Sequence, residues 1–190
     1  GQPRGNHSPA ESVARGIGYL TENRKGQGLF LSMPVSLNVV APALKDISSG
    51  PMIDAARERD IAQEQVAAFS VSTASVKVPV GALSGGNQQK VLFSRWTRIS
   101  DRLLILDEPT RGVDVGAKVE IYNLMNRLAS EGKGLVFVSS DLEEVTEMCD
   151  RVLVIYRGRI IAEYKRGEID ADRLLAAASG AVSDTERKRA

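Results

Sequence analysis

The chain has 190 residues, of which 43% are hydrophobic and 26% charged, the composition of an ordinary globular domain with one core. With 25 basic against 24 acidic side chains, its net charge of +1 excludes the strong positive field typical of nucleic-acid binding, so no nucleic-acid partner is expected. Its one cysteine, Cys149, cannot form an internal disulfide and is interpreted as a buried structural thiol. No run reaches the roughly 18 apolar residues of a membrane span, and no basic-then-apolar leader opens the chain, so a cytosolic location is expected.

The first third of the chain is predicted to pass from an irregular opening to helices. Gly1–Pro9 is turn-rich and expected to be loose, and its lone histidine, His7, is given no role. A short strand is predicted at Gly16–Leu20, followed by a polar loop and by a helix that starts near Pro34. A surface helix is predicted from Asp54 to about Phe69. Its apolar face consists of Ile61, Ala62, Val66 and Phe69.

After Ser100 the pattern changes to short apolar runs separated by helical periods. The runs lack polar alternation, which predicts strands of a parallel sheet covered on both faces. Between the first two runs, an apolar stripe predicts a helix that begins after Asp114 as its N-cap and ends near Gly132, completing a right-handed crossover. The last run turns at Arg157–Gly158 into an antiparallel hairpin, predicted at the sheet edge. The runs are Leu103–Leu106, Gly134–Val138 and Val152–Tyr156, and the stripe is Ala117, Ile121, Leu124 and Leu128.

The stretch LSGGNQQK, Leu83–Lys90, is predicted to be the N-terminus of a helix, because helical spacing of apolar residues continues beyond its glycines. Unpaired backbone N–H groups and the helix dipole favour a phosphate there, and glycines allow another molecule to approach the backbone. Alternatively, Ser84 only caps the helix and the glycines form a turn. The apolar face is Val91, Leu92, Trp96 and Ile99.

A second motif, LLILDEPT, places Asp107 and Glu108 at the carboxyl end of a buried strand, where open α/β sheets gather their ligands. An acid such as Asp107 can hold a magnesium ion bound to nucleotide phosphates, and Glu108 is suited to aligning and polarising an attacking water. Two acids after a strand can also simply cap the next element. The combination with the upstream glycine loop favours the nucleotide interpretation.

Together these motifs resemble those of the ATP-binding cassette (ABC) ATPases, over residues 16–164. LSGGNQQK resembles the ABC signature loop, LLILDEPT resembles the Walker B strand with its catalytic glutamate, here Glu108, and RGVD resembles the D-loop, which ends at Asp114. The combination is most similar to the second cassette of the double-cassette ATPases that energise bacterial monosaccharide import, of the ribose and galactose type. The segment of that cassette that faces the transporter often has Glu where other cassettes have Gln, and this position is Glu22.

The resemblance implies an α/β, P-loop NTPase-like fold with a mainly parallel sheet and a helical subdomain. Residues 1–190 would form a single partial nucleotide-binding domain, with the helical subdomain at about 34–98, the α/β core at about 100–164 and a loose, charged tail at 180–190. The Walker A pattern, G-x-x-x-x-G-K-[ST], does not occur in these residues. The chain is therefore interpreted as the C-terminal portion of a longer protein, which predicts an unpaired strand edge or an uncovered apolar face.

Another departure from the family concerns Ser140, which occupies the position of the switch histidine. Serine cannot hydrogen-bond as an imidazole ring does, so the resemblance implies poor hydrolysis at the chain's own site. Ser140 also has a purely structural interpretation, because Ser140 and Glu143 show the S-x-x-E spacing of a helix capping box.

In this family two cassettes pack head to tail around ATP, so the resemblance implies that the signature loop contacts the γ-phosphate of an ATP on a second cassette. Glu108 and Asp107 would serve the chain's own site, where Mg²⁺ is expected near Asp107 and Glu22, through phosphates or water. The implied partners are a second cassette of the same or a companion chain, membrane permease subunits and, indirectly, a sugar-binding protein, at the cytoplasmic face of the cell membrane. The signature residues expected to bind nucleotide in trans are Leu83, Ser84, Gly85, Gly86, Asn87 and Gln88.

Two other functions are weighed against a sugar-import ATPase. One is a nonhydrolytic binding or regulatory module that contacts a transporter or a companion cassette. The missing Walker A pattern and Ser140 favour it for the isolated chain, which is expected to be inactive by itself. The other is an ABC-type DNA-repair or chromosome ATPase, which is disfavoured because the sequence has neither a long heptad arm nor a basic DNA-binding stripe.

Overall fold

The computed structural model describes residues 8–181. The chain divides between Val138 and Ser139 into two compact units, each of which is described separately. His7 and the charged end of the tail, residues 183–190, lie outside the described residues. Among residues 8–181, no helix combines the length and the apolar character needed to cross a membrane.

The first unit combines a parallel sheet with helices. Its elements are α1 (Pro9–Ala14), β1 (Ile17–Leu20), a π-helical turn (Arg24–Gly28), α2 (Val35–Val40), a 3₁₀ segment (Ala41–Ile47), β2 (Ser48–Ser49), β3 (Met52–Ile53), α3 (Ala55–Ala68), a 3₁₀ turn (Val80–Ala82), α4 (Gly85–Thr97), β4 (Leu103–Asp107), α5 (Val115–Ser130) and β5 (Gly134–Val138).

Three strands form the parallel sheet, in the order β1-β4-β5. Side chains alternate between its faces. Leu20, Leu104 and Leu106 are fully buried on one face. On the other face, Tyr19 and Val136 are opposite Ile105 in the register and are 47% and 46% exposed. The prediction of strands covered on both faces is therefore wrong, whereas that of an uncovered apolar face is confirmed. An apolar run shows that both faces are apolar, and it carries no information about what covers them.

The helix that connects β4 to β5 follows its sequence prediction closely. The carboxylate of Asp114 caps α5 by accepting a hydrogen bond from the Ala117 N–H at 2.9 Å. All four residues of the predicted stripe are buried, together with Met125. Gly132 follows the helix with a φ of +87°, a left-handed conformation that favours glycine. The predicted parallel strand, helix, strand unit is thus confirmed.

Three short elements of the first unit differ from their prediction. The opening segment was expected to be loose up to Pro9, but α1 begins at this residue. Ser8 and Glu11 cap the N-terminus of α1 with a reciprocal capping box. The polar loop after β1 contains the π-helical turn, in which the carbonyl of Asn23 accepts hydrogen bonds from the backbone N–H groups of Gln27 and Gly28. The small β2–β3 hairpin was not predicted, because four strand residues give too short a pattern to detect.

The second unit is an antiparallel hairpin packed with two helices. Its elements are α6 (Leu142–Met148), β6 (Arg151–Tyr156), β7 (Arg159–Lys165) and α7 (Ala171–Ala178). The hairpin turns at Arg157–Gly158, as predicted, and both turn residues have positive φ. However, β6 pairs only with β7 among the described strands, so its predicted place in the parallel sheet is wrong. The apolar run predicts a strand and cannot specify the partner.

The core of the second unit is small and explains the position of the cysteine. Buried side chains from both strands and both helices form it. Cys149 is half-buried and packs against this core, and its burial, followed by the charge of Asp150, raises the pKa of the thiol. The structural interpretation of the cysteine therefore stands, although the side chain is less buried than predicted. The core residues are Val145, Val154, Ala162, Tyr164, Leu174 and Ala177.

Candidate nucleotide-binding site

The stretch LSGGNQQK forms the start of α4, as predicted. Ser84 is the N-cap, and its hydroxyl oxygen accepts hydrogen bonds from the backbone N–H of Asn87 at 3.5 Å and from the Asn87 side-chain amide at 2.9 Å. The amide oxygen of Asn87 in turn accepts the backbone N–H of Ser72 at 2.7 Å. Ser84 is exposed while its hydroxyl caps the helix. Capping and ligand binding are compatible at this residue.

The two glycines of this loop allow close packing inside the protein. A Cβ atom on Gly86 would lie only 2.6 Å from the Cβ of Ala117, so glycine is what lets α4 approach α5. A Cβ atom on Gly85 would lie 3.1 Å from the carbonyl oxygen of Gly112 and 3.3 Å from the guanidinium of Arg24. The glycines therefore have a structural reason that is independent of any ligand.

A groove of about 290 Å³ lies between the starts of α4 and α5. The ammonium group of Lys90 crosses it to the carboxylate of Glu120 at 2.8 Å. Beneath the loop, the side chain of Gln88 is buried and donates to the carbonyl of Leu83 at 3.0 Å. The groove thus joins the signature stretch to Asp114, the last residue of the predicted D-loop, within one unit.

The second predicted motif lies at the carboxyl end of β4. Asp107 accepts a hydrogen bond from the hydroxyl of Tyr19, on the neighbouring strand β1, at 2.8 Å, and this bond raises the pKa of Tyr19. Glu108 has a φ of +47°, a left-handed conformation that is costly for a residue with a side chain. The backbone N–H of Glu108 donates to the carbonyl of Val138 at 2.9 Å. The next helix is capped by Asp114, so the alternative that Asp107 or Glu108 caps it is wrong.

Glu22 follows β1 and is exposed. Its carboxylate forms an ion pair with the guanidinium of Arg111, which belongs to the RGVD segment after β4. A groove of about 410 Å³ surrounds this pair, and Arg24 and Lys25 also line it. The groove therefore combines one carboxylate with three cationic side chains. Because β1 and β4 are parallel neighbours, Glu22 and Asp107 follow the same edge of the sheet.

The carboxylates of this edge suit one mode of magnesium binding. No group of three or more His, Cys, Asp or Glu residues that would enclose a metal occurs within residues 8–181. Mg²⁺ commonly binds proteins through one or two carboxylates, with the remaining positions taken by water and phosphate oxygens. The carboxylate of Asp107 fits that mode, whereas the carboxylate of Glu22 is already paired with the guanidinium of Arg111.

The structure corrects the capping interpretation of Ser140. The N-cap of α6 is Asp141, whose carboxylate accepts the backbone N–H groups of Glu143 at 3.1 Å and Glu144 at 3.4 Å. The hydroxyl of Ser139 accepts the Asp141 N–H and donates to the carboxylate of Glu144. The S-x-x-E spacing of Ser140 and Glu143 was misleading, because the carboxylate one residue later can accept both N–H groups.

Three polar residues that hold these loops in place were not predicted from the sequence. Tyr19 was part of a strand pattern, and Arg24 was part of a polar loop. Arg95 lies within the helix predicted after the glycines, and it is buried, with an exposed fraction of 6%. The sequence did contain a signal for this role, because Arg95 is a charged residue at an apolar position of the helical period of α4. An arginine on a buried face needs hydrogen-bond partners.

The model of the family described as ABC transporter matches residues 4–111, more than half of the chain, and the chain belongs to this family. Several curated relatives are ribose import ATP-binding proteins, RbsA. The identity is 44% over 182 residues with that of Yersinia pestis, which covers 96% of this chain and 36% of the relative. The identity with the protein of Geobacillus kaustophilus is 43% over 180 residues, which cover 95% of this chain and 36% of the relative. The chain thus spans about a third of the length of these relatives.

Solved structures show the same fold. An ATP-binding cassette of an ABC transporter, in its ADP conformation, has a TM-score of 0.71 at 24% identity, and the match covers 90% of this chain and 68% of that one. A dimeric cassette in a post-hydrolysis state, bound to ADP and Pi, has a TM-score of 0.68 at 22% identity, with coverages of 85% and 68%. These likenesses confirm the predicted α/β, P-loop NTPase-like class, and the family match confirms the resemblance inferred from the motifs.

Proposed function

We propose that this chain is the ATP-binding and ATP-hydrolysing component of a sugar importer. It supplies Asp107 and Glu108 to its own nucleotide site and the signature loop to a nucleotide on a second cassette. The similarity to ribose import ATP-binding proteins supports the sugar substrate class. The proposed partners are a second cassette, membrane permease subunits and, through them, a sugar-binding protein, with the chain at the cytoplasmic face of the membrane.

One observation carries the catalytic part of the proposal. Glu108 is held in a left-handed backbone conformation directly after β4, at the edge of the sheet where Glu22 follows the neighbouring strand. Such strain in a residue with a side chain is typical of functional sites, where the surrounding structure compensates for its cost. Two backbone hydrogen bonds, to the carbonyl of Val138 and from the N–H of Arg111, hold Glu108 in this conformation.

The residues of this edge have distinct proposed roles. The carboxylate of Glu108 orients the attacking water and accepts its proton. Asp107, oriented by the hydroxyl of Tyr19, would hold Mg²⁺ through phosphates or water. Glu22 would join Asp107 only after its carboxylate leaves the ion pair with Arg111. When bound, this ion neutralises charge on the phosphates. By sequence position, Ser140 stands where the family has its switch histidine, and it supplies no imidazole, so we expect slow hydrolysis by this chain.

The signature loop is proposed to act on the nucleotide of the second cassette. Ser84 is exposed at the start of a 13-residue helix, and the first N–H groups of that helix lie beside it. Together they offer donors and a positive helix end to a γ-phosphate. A hydrogen bond from the side chain of Gln88 to the carbonyl of Leu83 stabilises the conformation of the loop. The dimeric neighbour bound to ADP and Pi supports a second cassette as partner.

The test of this proposal is Glu108→Gln in a purified transporter assembly that contains the chain. With the second cassette's own site inactivated, loss of the proton acceptor should lower the remaining ATP turnover about a hundredfold or more. Glu64→Gln, the same change at an exposed position of α3, is the matched control and should leave turnover unchanged. If Glu108→Gln leaves turnover unchanged, the chain has no catalytic role, and the nonhydrolytic binding or regulatory module becomes the better account.

A second measurement concerns the 190-residue chain alone. Calorimetric titration with Mg-ATP should give no saturable binding in the micromolar to millimolar range, because the sequence has no Walker A stretch to hold the phosphates. The isolated chain should correspondingly be inactive. Saturable binding would show that another segment holds phosphate, and the basic groove at Arg24, Lys25 and Arg111 would be the first place to examine.

A further inference from the structure

Arg95 is a buried cation held by carbonyl oxygens. Its Nε donates to the carbonyl of Asn38 at 2.6 Å, one Nη donates to the Asn38 side-chain oxygen at 2.6 Å, and the other Nη donates to the carbonyl of Gly28. The guanidinium also lies over the ring of Phe30, 5.5 Å from its centre. No ion pair to a described carboxylate accompanies these contacts. Burial lowers the pKa of Arg95 to about 10, so it remains a cation at neutral pH.

Asn38 extends this arrangement into the chain before α2. Its side chain is fully buried, and its oxygen accepts the backbone N–H of Phe30 at 2.9 Å. Its amide nitrogen donates to the carbonyls of Phe30 at 3.0 Å, Met33 at 3.3 Å and Pro34 at 3.1 Å. One asparagine therefore closes the loop between residues 30 and 34, and Arg95 joins that loop to α4.

A second arginine makes a similar connection at the other end of the π-helical turn. Arg24, the first residue of that turn, donates from its guanidinium to the side-chain oxygen of Gln89 at 3.2 Å. It also lies against Gly85, at the start of α4. The backbone N–H of Arg24 donates to the carbonyl of Glu22 at 2.9 Å. The turn that follows Glu22 is thus joined to α4 through Arg24 at its beginning and through Arg95 at its end.

We propose that Arg95 and Arg24 are positioning residues that make the Glu22 turn and the signature loop at the start of α4 move as one body. This inference rests on the proposed function, in which Glu22 and Ser84 both act on nucleotide. An apolar side chain at position 95 would fill the same space, but it would leave the carbonyls of Gly28 and Asn38 without this donor. The forked guanidinium holds two separate segments in a defined geometry.

The first test is hydrogen exchange on the 190-residue chain with Arg95→Met. Exchange at residues 28–34 should rise about tenfold, since buried polar groups lose a partner, while exchange in β4 should not change. Arg95→Lys keeps the charge and one donor group, and should restore part of the protection. Arg98→Met, one turn later at the end of α4, is the matched control. An equal rise throughout the first unit, or none at residues 28–34, would overturn the proposal.

The second test measures coupling during ATP hydrolysis by the transporter assembly. If the two loops move as one body, the effects of Glu22→Gln and Ser84→Ala on kcat should not be additive. In the Arg95→Lys background they should become additive, and kcat should fall about tenfold with little change in KM, because Arg95 does not touch the nucleotide. If the effects of Glu22→Gln and Ser84→Ala are already additive when Arg95 is present, the two loops are not coupled and the proposal is refuted.

The two tests also separate this inference from the proposed function. An assembly with no ATP hydrolysis would contradict the proposed function, and hydrogen exchange would still report whether Arg95 joins the two segments. If Arg95→Met does not fold, Arg95→Lys carries the exchange test, with local loss of protection as the expected result and unchanged protection at residues 28–34 as the contrary one.

Discussion

The start of α4 and the carboxyl end of β4 hold their conformations in different ways. At the start of α4, packing explains the backbone, because Gly86 meets Ala117 and Ser84 caps the helix with ordinary dihedral angles. At the end of β4, Glu108 adopts a left-handed conformation that its side chain disfavours. Packing and capping thus explain the first loop, whereas the second contains a strained residue that backbone hydrogen bonds with Val138 and Arg111 hold in place.

This difference shows which kind of evidence each motif offers for function. A glycine that is needed for helix packing would be retained whether or not the loop binds phosphate, so Gly86 is weak evidence for a ligand. The left-handed conformation of Glu108 is costly for a residue with a side chain and occurs directly after β4, where ligands of such sheets bind, so Glu108 is stronger evidence. Three substitutions test whether the two loops really differ in this way.

The largest effect is expected from Gly86→Ala. The added methyl group would lie 2.6 Å from the Cβ of Ala117 and would force α4 away from α5, which should lower the free energy of unfolding by about 1–3 kcal/mol. Gly116→Ala is the matched control, because both glycines are the second residue of their helix. At Gly116 the new Cβ would meet only Asp114, at 3.4 Å.

Urea unfolding of the 190-residue chain would measure both variants. The control should be neutral or more stable by up to about 1 kcal/mol, because alanine favours helix. A neutral Gly86→Ala would show that the two helices can separate without cost, and the packing explanation of this glycine would then be wrong.

A smaller effect of opposite sign is expected from Glu108→Gly. Glycine adopts a φ of +47° without a steric penalty, so relief of strain should offset its greater entropy in the unfolded chain. The free energy of unfolding should stay the same or rise by up to about 1 kcal/mol. Arg157→Gly, at a φ of +49° in the β6–β7 hairpin, is the control. A loss of stability at Glu108 that Arg157 does not share would give Glu108 a structural role.

The smallest effect is expected from Tyr19→Phe, which removes the hydrogen bond to Asp107. Tyr19 is 47% exposed, so the loss at neutral pH should be about 0.5–1 kcal/mol. The bond raises the pKa of Tyr19 above its usual value of 10, so its stabilisation is complete below pH 10 and is lost as the pH rises through the pKa of the folded state.

Unfolding curves between pH 7 and 11 would measure this dependence. The stability difference between wild type and Tyr19→Phe should shrink above about pH 10. In an Asp107→Ala background most of the difference should be lost, and the remainder would come from the burial of Tyr19 and its hydrogen bond with Thr21. A difference that keeps its full size in that background would show that the bond to Asp107 does not stabilise the fold.

Most helices and strands were predictable because their signals are local. Ser84 and Asp114 cap α4 and α5 as their positions predict, and the hairpin turn at Arg157–Gly158 also follows from adjacent residues. The wrong predictions concern which of two residues caps a helix and which strand pairs with which. At α6, the carboxylate of Asp141 takes the capping position from Ser140, and the pairing of β6 depends on which other strand lies beside it.

In the candidate site, too, the residues with local signals were predicted and those with distant partners were not. Asp107 and Glu108 were predicted from their place at the end of an apolar run, and the structure locates them at the edge of the sheet that Glu22 also follows. The residues that support them were missed because their partners are distant in sequence. Tyr19 is 88 positions from Asp107, and Arg95 is 57 positions from Asn38. No local period or motif carries such a pairing.

The amino-acid sequence by itself determined most of the longer helices and strands, the caps at Ser84 and Asp114 and the motifs that identify the family, because each depends on residues within a few positions of one another. Only the tertiary structure decided that Gly86 packs on Ala117, that Glu22 pairs with Arg111 and that Arg95 is buried among carbonyl oxygens. These depend on which segments the fold brings together, and a buried arginine is stable only where several acceptors from separate segments converge on it.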